Sequence, residues 1–303
     1  MTPDVAASPP ALRTITDAEF VELRDRVYRS TGIFLAASKK ALVVGRLSRR
    51  LRELAMDSFG QYVRYLRDGT DPLEPTRLVE AICTHETHFF REPRQFEYLE
   101  RELLPEWERA AAAGLRPRVV RAWSAGCSSG EEPFSVAMSL LARLGTDRGW
   151  RVEVLATDVS SRVLDRAREA VWPIAKAEEI PAPYRRAFMM KGTRSQEGLM
   201  KASPLLRATV RFARHNLSEN ADRAEGPFDL ILCRNVLIYF DAESRRRAVR
   251  RLISRLAADG RLFLGHSETL NGVTTDLCSV GPTVYTWPAA APDRRVRAAP
   301  FPR

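Results

Sequence analysis

The stretch from Trp123 to Asp158 constrains this chain more than any other. An apolar run leads into Trp-Ser-Ala-Gly-Cys-Ser-Ser-Gly-Glu-Glu-Pro-Phe, a helical apolar pattern follows, and the stretch closes on Val-Glu-Val-Leu-Ala-Thr-Asp. Read locally, this is a strand, a glycine-bearing turn that opens a helix, and a second strand ending in an acid. Such a unit suits a nucleoside-bearing ligand, because glycines let the backbone approach closely and the acid accepts hydrogen bonds from ribose hydroxyls. The turn has only Gly126 and Gly130, and it runs straight into Glu131 and Glu132. A pyrophosphate favours a bare helix N-terminus, whereas two carboxylates there favour a ligand carrying positive charge. S-adenosylmethionine, with its sulfonium and ammonium groups, meets that requirement better than NAD.

The rest of the chain is organised around this unit. Residues 1–13 and 288–303, rich in Ala and Pro, are expected to form disordered tails. Thr16 and Glu19 make a capping box for a helix running to about Ser30. Further helices are expected at about 39–55, 58–68 and 72–83, which gives a small helical domain over 14–85. Pro93 suits the first position of a helix reaching about Ala113. Strands at 118–123, 151–157, 228–234 and 261–265 then alternate with helices at 131–143, 160–170 and 241–257. That alternation predicts an α/β fold with a doubly wound, mainly parallel sheet over 86–287. A last strand at 283–287 suits an antiparallel edge. Residues 173–212, with Pro173, Pro181, Pro183 and Pro204 and short strands at 199–202 and 209–212, read as an inserted lid or small β-subdomain.

No stretch has the apolar length of a membrane span, and the N-terminus lacks a basic-then-apolar signal pattern. The four cysteines lie far apart without metal-ligand spacing, so reduced thiols in a cytoplasmic protein are expected. A net charge of +10 points to an acidic partner without naming it, since nucleic acid, anionic lipid and an acidic protein surface all qualify. The excess is concentrated: Lys39 to Arg67 holds eight basic residues against Glu53 and Asp57. On the helix at 39–55, Val43, Leu47, Leu51 and Leu54 share one arc, and Lys39, Arg46, Arg49 and Arg50 an adjacent one. Taken alone, that basic arc reads as a solvated face.

Two other chemistries are weighed against the donor site. His85-Glu-Thr-His88 looks like a shortened zinc signature, but its histidines lie three apart, not four, so no metal is expected. A nucleic-acid methyltransferase would suit the basic charge. However, the chain has Arg234-Asn235-Val236-Leu237 where amino-methylating enzymes carry Asn/Asp-Pro-Pro-Tyr/Phe, and no cysteine follows a proline as C5-methylation needs. A non-catalytic binding module for the same cofactor is the other alternative.

Five blocks, in order, carry a resemblance: Thr84–Glu92, Ser124–Ala137, Ala156–Ser160, His215-Asn216-Leu217, and Phe228–Asp241. Together they resemble CheR, the chemoreceptor glutamate methyltransferase family, over about residues 15 to 287. The resemblance implies a helical N-terminal domain, a Rossmann-like methyltransferase domain and a small inserted β-subdomain. It implies transfer of the methyl of S-adenosylmethionine to the γ-carboxylate of glutamates on chemoreceptor coiled coils, leaving methyl esters and S-adenosylhomocysteine.

Residue by residue, the resemblance implies cofactor contacts from Thr87, Arg91, Gly126, Glu131, Asp158, Asn216, Leu217, Asn235 and Val236, and from His85, where the family usually carries Asn. Asp158 also suits an N-cap of the next helix, as Ser160 or Ser161 would, and Asn216 also suits a turn. Arg91 and Tyr239 are the expected catalytic pair, Arg91 steering the substrate carboxylate and Tyr239 lying near the transferred methyl. Within the family the basic helix is offered to the acidic receptor, so Lys39, Arg46, Arg49 and Arg50 become expected receptor contacts. The implied partner is the cytoplasmic domain of methyl-accepting chemoreceptors, with no nucleic acid, the membrane reached only through receptors, and the protein acting as a monomer.

Overall fold

The computed structural model describes residues 14–219 and 226–288. These divide into two compact units at Thr84 and His85. The tail expected at 1–13, and all but Pro288 of the tail expected at 288–303, lie outside the described residues.

The first unit is all helical: α1 (Asp17–Thr31), α2 (Lys40–Glu53), α3 (Phe59–Asp68) and α4 (Glu74–Ile82). The capping box forms as expected, with Thr16 Oγ1 accepting from the Glu19 N–H at 3.2 Å and Glu19 accepting from the Thr16 N–H at 2.8 Å. Side chains three and four apart bury one stripe per helix: Phe20, Leu23 and Val27; Val43, Leu47 and Leu51; Phe59, Tyr62 and Leu66.

The basic arc of α2 divides in the structure. Arg50 pairs through Nε and Nη2 with the buried Glu74, whose Oε1 also accepts from Tyr62 Oη at 2.8 Å. Arg46 donates to the Ile82 carbonyl and, at 2.7 Å, to Thr84 Oγ1. Lys39 and Arg49 are the two of the four that stand exposed, Arg49 beside Glu53 at 3.0 Å. A helical wheel sorts residues by direction and does not foresee an acid arriving from another helix.

The second unit opens on one helical rod: α5 (Pro93–Tyr98), a π-helical turn over Leu99–Leu103, and α6 (Leu104–Ala112). There follow β1 (Val119–Ala125), α7 (Glu131–Leu144), β2 (Arg151–Asp158), α8 (Ser161–Glu169), β3 (Val171–Pro173), α9 (Ala182–Phe188), β4 (Met189–Lys191), β5 (Leu199–Ala202), α10 (Pro204–Thr209), β6 (Val210–Arg214), β7 (Phe228–Cys233), α11 (Ala242–Ser254), β8 (Leu256–Leu264), β9 (Cys278–Gly281) and β10 (Val284–Thr286). Seven strands form one sheet in the order β6-β2-β1-β7-β8-β10-β9. The pairings from β6 to β8 are parallel, and β10 and β9 add an antiparallel edge. The central strand β1 is buried almost throughout, and α7 packs with Phe134, Ala137, Met138 and Leu141 in the core. Burial of this kind contributes about 25 cal/mol per Å² of apolar surface and dominates the folding of the unit.

The insertion is shorter than expected. β3, β5 and β4 form a separate three-stranded antiparallel sheet. Residues 210–214, however, rejoin the main sheet as β6, parallel to β2 with Val210 opposite Val154 and Arg214 opposite Asp158. Proline and glycine punctuation signals where the chain leaves a sheet. It carries no information on where the next strand pairs.

Candidate active site

The parallel strands end on one side of the sheet, and the expected site residues gather at those ends, where ligands of such folds bind. Gly126 and Glu131 follow β1, Asp158 closes β2, Asn216 and Leu217 follow β6, and Asn235, Val236 and Tyr239 follow β7.

The β1–α7 turn is laid against β2 by its backbone: Gly126 and Cys127 both donate to the Thr157 carbonyl, at 2.8 and 2.9 Å. Gly126 has φ +88°, and a Cβ there would sit 2.4 Å from Val236 Cγ2. Glycine is required twice over, by conformation and by the close approach of the β7 loop. Asp158 holds the turn from below, Oδ2 accepting the Ser128 N–H at 2.9 Å and Oδ1 the Ser160 N–H at 3.0 Å. The cap of α8 is Ser160, so Asp158 serves the turn and not the helix. Asn216 closes a local turn: its Oδ1 accepts the Ser218 N–H at 2.9 Å and its amide donates to Glu219 at 3.0 Å.

Besides Asp158, two carboxylates stand at the turn. Glu131 is buried, with Oε1 accepting from Lys176 Nζ at 2.7 Å and Oε2 from Ser129 Oγ at 2.7 Å. Glu132 accepts from Ser124 Oγ at 2.6 Å and lies 3.4 Å from Arg234 Nη1. Burial pushes the Glu132 carboxyl up, against the opposing pull of Arg234 and Ser124. Burial likewise raises the Cys127 thiol, reinforced by the charges of Asp158 and Glu132, so this cysteine stays protonated and inert.

Residues 85–92 form a strap pinned at successive positions. The His85 carbonyl accepts from Ser128 Oγ at 2.7 Å, and the Thr87 carbonyl from Lys176 Nζ at 3.0 Å. The Phe89 N–H donates to Glu179 at 2.8 Å, the Phe90 N–H to Ser135 Oγ at 3.0 Å, and the Arg91 carbonyl accepts from Arg234. Phe90 and Glu92 hold positive φ, 50° and 62°, so the strap bends sharply on both sides of Arg91. Within this described region the Arg91 guanidinium makes one hydrogen bond, a long one of 3.4 Å to the Glu86 carbonyl. Tyr239 is half-buried on a 3₁₀ turn over Leu237–Tyr239.

Sequence reasoning missed Lys176 and Arg234. Arg234 stands between the β7 strand and the Asn235-Val236 pair with nothing local to single it out, and Lys176 lies in the insertion with no pattern to mark it. The one available signal was electrostatic, since a buried Glu131 requires a cation.

Two family descriptions match this chain: "CheR methyltransferase, SAM binding domain" over residues 85–286 and "CheR methyltransferase, all-alpha domain" over residues 18–83. The chain belongs to the CheR methyltransferase family. Among its curated CheR relatives, chemotaxis protein methyltransferase 2 of Pseudomonas aeruginosa is 40% identical, over 89% of this chain and 93% of that protein. The chemotaxis protein methyltransferases of Salmonella typhimurium and Escherichia coli are each 36% identical over 89% of this chain, covering 90% and 91% of their own lengths. The protein is an S-adenosylmethionine-dependent methyltransferase with the Rossmann-like domain and helical N-terminal domain of CheR. At the β1–α7 turn the structure offers a glycine cradle bounded by Val236, with the buried carboxylates of Glu131 and Asp158 beside it.

Proposed function

We propose that this protein methylates the γ-carboxylate of glutamates in the acidic cytoplasmic coiled coil of methyl-accepting chemoreceptors, leaving methyl esters, and that it acts in the cytoplasm. The names of its CheR relatives support a chemotaxis role. The observation that carries the choice of acceptor is Arg91, whose guanidinium keeps most of its donors uncommitted among the described residues. A planar, permanently charged fork matches a carboxylate.

A glutamate has an unperturbed pKa of about 4.3, so near neutral pH the nucleophile is already ionised and needs no general base. S-adenosylmethionine, when bound, supplies the electrophilic methyl group. The chain's own task is therefore alignment and exclusion of water, and alignment lowers such barriers by about 7–11 kcal/mol. The turn residues and strand ends hold the donor, the strap covers it, Arg91 steers the acceptor carboxylate, and Tyr239 orients the donor beside it. Exposed Lys39 and Arg49 draw the acidic receptor to the helical unit.

The test is incubation with donor labelled on its methyl group and a receptor cytoplasmic fragment, followed by mild base. Volatile labelled methanol is the expected product. Label that withstands base, or that enters DNA instead, would overturn the reading.

A further inference from the structure

Beyond β8 the chain runs Gly265-His-Ser-Glu268, and this tetrapeptide fastens two other loops. Glu268 is buried, and its carboxylate accepts three backbone N–H groups. Oε2 takes those of Gly265 at 2.6 Å and Asn235 at 2.8 Å, and Oε1 takes that of Ile238 at 3.2 Å. The neighbouring His266 N–H donates to Glu92 Oε1 at 3.1 Å, where the strap ends.

What Glu268 holds needs holding. Asn235 sits at φ +58°, a region that costs a non-glycine residue energy unless its surroundings enforce it. Ile238 lies at the start of the 3₁₀ turn carrying Tyr239, where N–H groups have no acceptor within the turn. The fit is close: a Cβ on Gly265 would lie 2.7 Å from Asn235 Nδ2, 2.7 Å from Glu268 Oε2 and 2.8 Å from the Asn235 nitrogen. A carboxylate suits the place because both of its oxygens accept and neither donates. An amide would satisfy one side and present N–H groups to the other.

We infer that Glu268 is a positioning residue for methyl transfer, fixing the backbone from Asn235 to Ile238 and thereby Asn235, Val236 and Tyr239 at the cofactor pocket. The inference rests on the reading of that pocket given above. A residue that merely stabilises the fold would lower the unfolding temperature and leave each folded molecule as active as before. A positioning residue would change what each folded site does.

Glu268→Ala and Glu268→Gln separate the two, measured with the full chain. S-adenosylhomocysteine calorimetry counts competent sites and gives affinity, and turnover on a receptor fragment is then expressed per competent site. Loss of three anchoring hydrogen bonds in Glu268→Ala is expected to weaken S-adenosylhomocysteine by about 10-fold. Displacement of Tyr239 is expected to lower kcat per site by about 100-fold, with Glu268→Gln intermediate. Receptor KM should stay within about twofold of the parent, since the acceptor's own contacts are untouched. Parent-like affinity and kcat per site in both variants would overturn the inference, whatever happens to the melting point. Should Glu268→Ala not fold, Gly265→Ala keeps the carboxylate and crowds Asn235. The same loss is expected there, and full activity overturns the inference equally. Because the affinity arm needs no acceptor, it judges Glu268 even if the parent protein leaves receptor fragments unmethylated, a result that would count only against the proposed acceptor.

Discussion

Lys176 donates at 2.7 Å to Oε1 of Glu131 and at 3.0 Å to the Thr87 carbonyl, so one ammonium joins the turn that opens α7 to the strap above it. Lys176→Met removes both bonds and leaves a buried carboxylate without its cation. The variant is expected to lose about 1–3 kcal/mol of stability and to bind S-adenosylmethionine more weakly. Thermal unfolding followed by tryptophan fluorescence, with calorimetry of the donor, checks both. An unchanged melting point together with unchanged affinity would show the ammonium to be dispensable.

Gly126→Ala places a Cβ 2.4 Å from Val236 Cγ2 at a backbone φ of +88°. The crowding and the strained φ together are expected to cost about 1–3 kcal/mol, seen as weaker S-adenosylhomocysteine binding. Adding Val236→Ala removes the opposing methyl but not the strain. The double variant should therefore recover part of the affinity, and full recovery would show that backbone conformation contributes nothing.

Arg91→Ala is expected to lower kcat/KM for receptor by about 100-fold, the scale of losing a preorganised charged donor. Its effect on S-adenosylhomocysteine affinity should be much smaller. Tyr239→Phe is expected to reduce kcat while leaving receptor KM near its starting value. Full kcat in Tyr239→Phe would reduce that side chain to packing.

Receptor affinity should fall as salt rises, because exposed charges are screened over about 8 Å at physiological ionic strength. Lys39→Glu combined with Arg49→Glu is expected to weaken binding by about 10-fold at low salt and to flatten that dependence. Arg50→Met acts differently, by stranding the buried Glu74. A salt titration of the parent and both variants distinguishes docking from folding, and a parent affinity indifferent to salt would exclude electrostatic docking.

Burial raises the Glu74 carboxyl, but hydrogen bonds from Arg50 and Tyr62 more than reverse this, so its pKa lies below the ordinary value. A carboxyl depressed in the folded state stabilises fully above its unfolded pKa, and that stabilisation disappears as pH falls through the folded value. Protection of the amides over residues 17–82, taken relative to unstructured amides at the same pH, should thus fall in acid, below the usual carboxylate range. Glu74→Gln is expected to exchange faster at neutral pH and to respond less to acid.

What the sequence made legible was local. The capping box at Thr16, the buried arc of α2 and the strand-turn-helix of β1 and α7 each depend on residues a few positions apart. Asp158 was legible as an acid at a strand end, and its hydrogen bond to Ser128 separates it from a helix cap. The anchors of the site were not legible. Lys176 reaches Thr87 across 89 residues, Arg234 reaches Arg91 across 143, and Glu268 reaches Asn235 across 33. No periodicity encodes such pairs, since each depends on the sheet having already brought its loops together. The π turn at Leu99–Leu103 escaped for a related reason, because an added residue in a helix leaves the apolar pattern nearly intact.

The buried state of Cys127 has a practical outcome. Cys127 and Cys233 are both enclosed with thiols raised by burial, whereas Cys278 is exposed on the outermost strand of the sheet. Thiol reagents attack the thiolate, so alkylation should begin at Cys278 and spare the β1–α7 turn that holds Cys127. A fluorophore or spin label can therefore be attached to the native chain at that outer edge while Cys127 and Cys233 stay chemically untouched.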